Sequence, residues 1–571
     1  MIRRQIEQRI QTATLAILPD ADAASVLIRP CQDSKFGDYQ CNALMALAKV
    51  RKLNPRQLAT DVLAKLDVAE WCERVEIAGA GFLNFHLSKA AIATALQSAA
   101  RDEHRFFRKT DHPRTIVIDF SSPNIAKPMH IGHIRSTILG DCLARTLRLL
   151  GHRVITDNHI GDWGTQFGKL IVGWKTDLNR TALGTDAIAE MERLYKLVNT
   201  RCDADPIVIE SARKELVKLQ EGDADNLSIW REMIALSQNQ FDTIYGRLGV
   251  RFDHTYGESF YNPRLKSVVE DLRASDIVRE SEGAQVVFFD DIPSLKDHPA
   301  IVQKRDGGAN YTTTDLATIE FRLRTWGPDE VVYVTDGRQQ LHFQQLFSIF
   351  RRWHSNTQMR LAHVWFGSIL GDDGKPFKTR SGETVKLADL LDEAEERALK
   401  AVQEKNPDLP QETQREIARI VGLGAVKYAD LLPNRQSDYV FSWDKMLALQ
   451  GNTAPYLLYA YTRVQSIFRK VEFVRSQTSS LQLAAPEELA LARHLLNYGM
   501  VIEAVAEEYR PNYLCNYLYE LAGHFARFYE GCPVLKASES ERDSRLLLCH
   551  LTAHVLRQGL ELLGIEVVDQ M

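Results

Sequence analysis

Two histidines one helical turn apart, His130 and His133, flank Gly132 in the run SSPNIAKPMHIGHIR from Ser121 to Arg135, with Lys127 just upstream. Residues three apart share one face of a helix. Two imidazoles, a mobile ammonium and the backbone N–H groups of a helix N-terminus together suit a polyphosphate. Gly132 leaves the backbone open to a ribose or a base. Two other readings of the pair stay open. The histidines can simply cap the helix and pack, or ligate zinc, for which no obvious third ligand accompanies them. A second cationic group lies far along the chain in GKPFKTRSG, Gly374 to Gly382, which carries Lys375, Lys378 and Arg380. Its glycines, with Gly371, make it a candidate mobile loop; taken alone it also reads as a solvated turn.

The elements around these residues follow from patterning. Thr115–Phe120 (TIVIDF) reads as a strand that runs through a tight loop into a helix starting at Ile131. That helix carries Ile134, Ile138, Cys142, Leu143 and Leu147 on one face and stops at Gly151. Val154 and Ile155 begin a second strand, which leads into NHIGDWGTQFG, Asn158 to Gly168. This is how a parallel α/β sheet begins. The sheet pattern resumes with Gln285–Phe289 and Ile301–Lys304, then Val331–Thr335, a helix near Leu341–Trp353 and a strand at His363–Ile369. Between them, Trp174 to Gly249 is charged and helical in pattern, an insertion extending to about residue 280.

The flanking regions differ in kind. The first 112 residues read as a small α+β domain. In it, Lys35–Lys49 is a loop entering a helix with Asp38 at its N-cap, and Val75–Ser88 is two strands around Gly-Ala-Gly. Arg101–Arg114 is a polar linker. Residues 113–386 form a Rossmann-type parallel-sheet domain, and 387–571 an all-α bundle with amphipathic stretches at Thr413–Ala429, Ala454–Lys470 and Ser544–Leu563. In the bundle, Tyr456, Tyr459, Tyr461, Arg463, Arg469 and Lys470 interleave aromatic and basic groups, which suits splayed bases and phosphates. An ordinary amphipathic helix with core tyrosines is the competing reading, preferred for Tyr459.

Composition bounds the rest. The 571 residues are 45% hydrophobic and 25% charged, with a net charge of −5, so no global basic field points to nucleic acid, though a local basic face is compatible with it. The N-terminal MIRRQIEQRI lacks the apolar core of a signal peptide, and no run is long and apolar enough to span a bilayer. Eight scattered cysteines without close pairs read as reduced thiols in a cytoplasm.

SSPNIAKPMHIGHIRST resembles the HIGH signature of class I aminoacyl-tRNA synthetases, and its surroundings resemble the arginyl family in particular. The likeness runs almost end to end, through KFGDYQ, GFLNF, NHIGDWGTQFG, YTTTDLA, GKPFKTRSG, VGLGAVKYADL and GNTAPYLLYAYTRV to the last residue, Met571. It implies a two-step reaction. The carboxylate of arginine attacks the α-phosphate of ATP, and the adenylate then passes to the 3′ ribose of its tRNA. ATP is a substrate accompanied by Mg²⁺, with no dedicated protein metal site. The family further implies that activation needs bound tRNA, and that the enzyme is a cytoplasmic monomer.

The resemblance also implies roles. His130, His133, Lys378 and Arg380 stabilise the triphosphate, Gly132 packs under the nucleotide, and Phe366, Gly367 and Lys375 line the ATP site. Ser122, Asn124 and His133 hold the amino-acid end. Asp119, Tyr311, Asp315 and Gln339 surround the arginine side chain. Those four fall at strand ends or helix starts, where α/β sheets bind ligands, and offer the acceptors and planar surface that a guanidinium needs. Where other class I enzymes carry the second lysine of KMSKS, this chain has Thr379, and Lys127 resembles the lysine that takes its place. Phe82 and Asn84 match a strand that contacts the tRNA D-loop, and Tyr456, Arg463 and Met571 lie in the part that reads the anticodon. The series leaves less room for three alternatives. A cysteine-specific ligase would need a zinc cluster, a non-catalytic tRNA-binding relative would have no need of both histidines, and a free nucleotidylyltransferase would leave the helical C-terminal part unexplained.

Overall fold

The computed structural model describes residues 2–31, 33–102, 106–378, 384–471 and 481–571. At its centre lies a five-stranded parallel sheet. In spatial order its strands are Arg360–His363, Glu330–Val334, Thr115–Phe120, Arg153–Asn158 and His254–Thr255. The central strands are β-branched runs buried along nearly their whole length, as a sheet covered on both faces requires. Register sets Asp119 beside Asp157 on one neighbouring strand and beside Tyr333 on the other. In-register neighbours project to the same face, so these three side chains meet.

The helix Ile131–Leu149 follows the first strand and packs under the sheet; Gly151, at φ +92°, takes the left-handed turn just past its end. Gly140 brings that helix against Phe120, where a Cβ would stand 2.2 Å from the ring. The insertion forms five helices from Gln166 to Leu248, the longest being Ala187–Ala204 and Ala224–Leu248. The N-terminal region is a four-stranded antiparallel sheet flanked by helices, and the C-terminal region is helical, from Leu387–Lys405 to Glu539–Leu562. The α/β class with an α+β N-terminal region and a helical C-terminal region is as the sequence predicts.

Several local expectations are overturned. Residues 284–287 and 300–303 do not extend the parallel sheet; with Arg279–Ser281 they build a separate three-stranded antiparallel sheet. Short apolar runs do not reveal their pairing partners. The expected strand His363–Ile369 is split. Arg360–His363 joins the main sheet, and Ile369–Leu370 pairs with Tyr439–Val440, a short strand within the otherwise helical C-terminal part. Asp38 caps no helix. A strand, Tyr39–Cys41, intervenes, and Asn42 occupies the N-cap. The Asp38 carboxylate instead accepts the Leu87 N–H at 2.7 Å and pairs with Arg493 of the C-terminal bundle at 2.6 Å. Arg101–Arg114 is not simply a solvated linker, since Phe106 and Phe107 are buried and Phe106 packs edge-on to Tyr498.

Candidate active site

The site lies at the C-terminal ends of the sheet, and its floor is the stretch Ser121–Lys127. Three non-glycine residues there have positive φ: Ser121 at 75°, Ser122 at 49° and Ala126 at 60°. Such backbone persists only where its surroundings over-determine it, and they do. Ser121 N–H donates to Ser136 Oγ at 2.8 Å, Ser122 N–H to Asn158 Oδ1 at 3.0 Å and Ala126 N–H to Ser237 Oγ at 3.0 Å. The Ser121 hydroxyl also shares a 2.7 Å hydrogen bond with Tyr245 OH. Asn124 lies against Gly161 of the NHIGDWG run, where a Cβ would stand 2.2 Å from the Asn124 amide oxygen, so a side chain at 161 would displace that amide.

His130 is the N-cap of the long helix, and its Nδ1 accepts the Gly132 N–H at 3.1 Å. His133 Nδ1 accepts the His130 N–H at 3.1 Å, and the two rings lie 4.0 Å apart. An Nδ1 that accepts a backbone N–H carries no proton, so each neutral ring bears its hydrogen on Nε2. Basicity agrees with geometry. Burial, reinforced by the charges of Lys127 and Arg338, lowers the pKa of His130; burial and His130 take that of His133 to about 3. The histidines are thus caps and neutral donors at once, rather than carriers of charge. Among the described residues no three His, Cys, Asp or Glu side chains gather as a metal-binding group. Lys127 is exposed, with its Nζ 5.6 Å from the centre of the Tyr195 ring.

Across the sheet, Asp119 is buried and already engaged: its Oδ2 accepts from Arg322 Nη2 at 2.6 Å, and its Oδ1 accepts from the Ser122 hydroxyl at 3.2 Å. Arg322 also reaches Asp157 at 2.7 Å and lies over the Tyr333 ring. Asp119 therefore reaches the site as part of an internal cluster in which one guanidinium balances two carboxylates. Asp315 is more open and pairs with His342 at 2.6 Å, while Tyr311, 61% exposed, sets its ring edge-on to His342. Gln339 is exposed at the end of the turn Gly337–Gln339, beside Arg338. Glu258, whose pKa burial raises to about 7, feels the charges of His159, Asp162 and Asp315.

The Gly/Lys loop is tied to the histidines by backbone. Ile131 N–H donates to Val385 O at 3.0 Å and Leu387 N–H to Met129 O at 2.9 Å, so the chain leaving the loop pairs with the start of the long helix. Lys375 and Lys378 are exposed, and Phe377 stacks on Phe441 at 4.5 Å to anchor the loop's base. Thr379, Arg380 and Gly382 lie outside the described residues. Phe366 pairs by backbone with the turn that carries Arg338 and Gln339, accepting the Gly337 N–H at 3.0 Å. The Phe366 ring is buried beneath Arg135, and Gly367 donates to Arg435 O and accepts from Arg135 Nη1. The two residues form the joint between sheet and C-terminal helices, because Arg135 reaches across to Asp430 there.

The expected RNA contacts divide. Asn84 is 2% exposed and its amide oxygen accepts from Gln40, so its side chain is not on the surface; Phe82 is half-buried. Tyr456 lines a shallow cavity with Tyr519, His524 and Arg527, and Arg463 lies 4.4 Å from the Tyr529 ring centre. Tyr459, expected in the core, is 48% exposed, whereas Tyr461 is fully buried. Met571 packs half-buried against the bundle. The sequence reading missed Arg322, Arg338, His342, Glu258 and Tyr195. Arg322 left a trace, being a charged residue on the same helical face as Ile319, which is buried.

A parallel sheet whose first strand leads into a histidine-capped helix, opposite an acidic pocket, defines a class, and the comparisons agree. Residues 95–443 match the catalytic domain of class I (R) tRNA synthetases, 1–87 the arginyl-tRNA synthetase N-terminal domain and 457–571 the DALR anticodon binding domain. The arginine–tRNA ligase of Laribacter hongkongensis is 46% identical over 99% of both chains. Two solved structures superpose over the whole chain: arginyl-tRNA synthetase from Thermus thermophilus (TM-score 0.85, 26% identity, all of that chain) and from Plasmodium falciparum (0.82, 29%, 99% of that chain). The chain belongs to the arginyl-tRNA synthetase family.

Proposed function

We propose that this chain performs the family's reaction, ligating arginine to its tRNA at the cost of ATP, and that the residues at the C-terminal ends of the sheet carry both steps. The observation that carries the reading is the pair of neutral imidazoles, each with its Nδ1 taken by a backbone N–H and its proton on Nε2, at a helix N-terminus beside Lys127. In the first step a carboxylate oxygen of arginine forms a bond to the α-phosphorus, the bond to the bridging oxygen breaks, and pyrophosphate leaves with the electron pair. Negative charge moves toward the departing phosphates, where the two Nε2–H donors, the helix dipole and the Lys127 ammonium stabilise it. Mg²⁺ enters with the nucleotide as part of the substrate. In the second step a 3′-terminal ribose hydroxyl attacks the adenylate carbonyl and AMP departs.

The arginine side chain is assigned to Tyr311, Asp315 and Gln339, with Asp119 behind them, and its backbone end to Ser122, Asn124 and His133. Selectivity is assigned to charge and hydrogen bonding: Asp315, paired with His342, and Asp119, shared with Arg322, offer acceptors that favour a substrate donating through a flat cationic fork. Lys375, Lys378 and Arg380 are assigned to the triphosphate from the loop side, with Lys127 supplying the charge that Thr379 does not. The division into 1–112, 113–386 and 387–571, with the outer parts holding tRNA, belongs to the same proposal, as do a monomer, a cytoplasmic location and activation that requires bound tRNA. The test is ATP–pyrophosphate exchange with each amino acid, with and without tRNA. Exchange with arginine in the presence of tRNA is the expected result. Exchange driven by a different amino acid, or none with arginine plus tRNA, overturns the reading.

A further inference from the structure

The reaction as described makes no use of the helical insertion, yet the insertion grips the Ser121–Lys127 stretch at three points. Tyr245, on the helix Ala224–Leu248, holds the Ser121 hydroxyl at 2.7 Å. Ser237, on the same helix and fully buried, accepts the Ala126 N–H at 3.0 Å. Tyr195, on the helix Ala187–Ala204, presents its ring 5.6 Å from Lys127 Nζ. The first two fix the strained backbone on which Lys127 sits. The third acts on the side chain, whose long stem otherwise samples many rotamers.

The ring serves two cations. Lys169 Nζ lies 5.9 Å from the same ring centre and is anchored by Asn199 Oδ1 at 2.6 Å. A ring within about 6 Å of an ammonium attracts it through its negative face without neutralising its charge. A carboxylate in that place would hold the lysine more firmly but cancel the field a triphosphate needs. Lys127 stands three residues before His130, and its charge is felt at that imidazole.

We infer that Tyr195 is a positioning residue for adenylate formation: through its ring, the insertion holds the Lys127 ammonium beside the histidine-capped helix start, ready for the charge that develops on the triphosphate. The inference rests on Lys127 acting in that step, and the experiment separates the two. ATP–pyrophosphate exchange with arginine and tRNA is measured for the full chain carrying Tyr195→Phe, Tyr195→Leu, Lys127→Ala, and the last two combined. Tyr195→Leu is expected to lower kcat about 2- to 5-fold, the scale of an exposed cation–π contact, with KM for arginine unchanged. Tyr195→Phe keeps the π face and is expected to stay within about twofold of the parent. The combined variant is expected to be no slower than Lys127→Ala alone, because the ring acts only through the lysine.

A slow Lys127→Ala with a fully active Tyr195→Leu overturns the inference and leaves the role of Lys127 standing. A fully active Lys127→Ala removes that role and the inference with it. Losses that add in the combined variant, or a Tyr195→Phe as slow as Tyr195→Leu, mark a purely structural tyrosine and also overturn the inference. Should Tyr195→Leu fail to fold, Tyr195→Met removes the ring with an unbranched side chain and is read in the same way.

Discussion

His133 shows how one side chain can be both structural and chemical. Its Nδ1 closes the helix start by accepting the His130 N–H, and that bond forces the proton to Nε2, where a phosphate oxygen can use it. The same arrangement predicts a dependence on pH. With a folded pKa of about 3, below the ordinary histidine value of 6.5, His133 stays neutral in the folded chain while the unfolded chain takes up a proton. Its contribution to stability is complete above about pH 6.5 and is lost as pH falls from there toward 3. Between about pH 7 and about pH 5.5 this amounts to about 1 kcal/mol. Urea denaturation at both values is expected to show a smaller drop for His133→Asn, whose amide oxygen can still accept the His130 N–H, than for the parent chain. Equal drops would mean that His133 protonates in place. His130 acts in the same direction, because burial lowers its pKa as well.

At the scale of elements, the unit that matters is a strand end, a strained stretch and a helix start held by a second element far away in sequence. Positive φ at Ser121, Ser122 and Ala126 is costly for residues with a Cβ, and the insertion helix Ala224–Leu248 helps offset that cost. Ser237→Ala leaves the buried Ala126 N–H without its acceptor, which costs roughly 1–3 kcal/mol. Thermal melts are expected to show that loss, and pyrophosphate exchange to fall further than the melt alone explains, because the Ala126 backbone sets where Lys127 begins. A variant destabilised by this amount but fully active would show that the stretch keeps its shape without the insertion. Element identity was readable from patterning here: the strand Thr115–Phe120 and the helix from Ile131 stand where the β-branched run and the helical apolar face put them. Partnership was not. Nothing in the runs at 284–287 and 300–303 says that they pair with Arg279–Ser281 rather than with the main sheet.

Across the whole molecule, the helix bearing the histidines is also the element against which the C-terminal helices pack. Arg135, five residues beyond His130 and fully buried, pairs with Asp430 at 3.1 Å, donates to the carbonyls of Gly367 and Ser437, and stacks over Phe366 and Tyr439. A turn and a half further on, Asp141 pairs with Arg145, near the buried Lys427, whose ammonium holds the carbonyls of Leu248 and Gly564. The N-terminal region is tied to the same bundle through Asp38–Arg493 and through Arg3 and Arg4 on Glu503. Removing one partner of a buried pair strands the other charge and costs roughly 3–5 kcal/mol. Arg135→Met is therefore expected to lower the melting temperature and to split calorimetric unfolding into two transitions, the catalytic and C-terminal parts melting separately. A single transition at the parent temperature would show that apolar contacts alone hold them together.

The sequence by itself determined the chemistry-bearing local units: the paired histidines at a helix start, Lys127 ahead of them, Tyr311 and Asp315 opening a helix, and a cationic glycine loop. These rest on short-range rules of capping, turn formation and periodicity, which act between residues a few positions apart. Tertiary structure decided what each unit meets. Register across three strands brought Asp119, Asp157 and Tyr333 together, and one buried arginine, Arg322, joined them. Packing hid Asn84, exposed Tyr459 and set Tyr195 against Lys127. Those outcomes depend on which distant surfaces exclude water together. Contacts between residues tens or hundreds of positions apart leave no periodic mark on either segment.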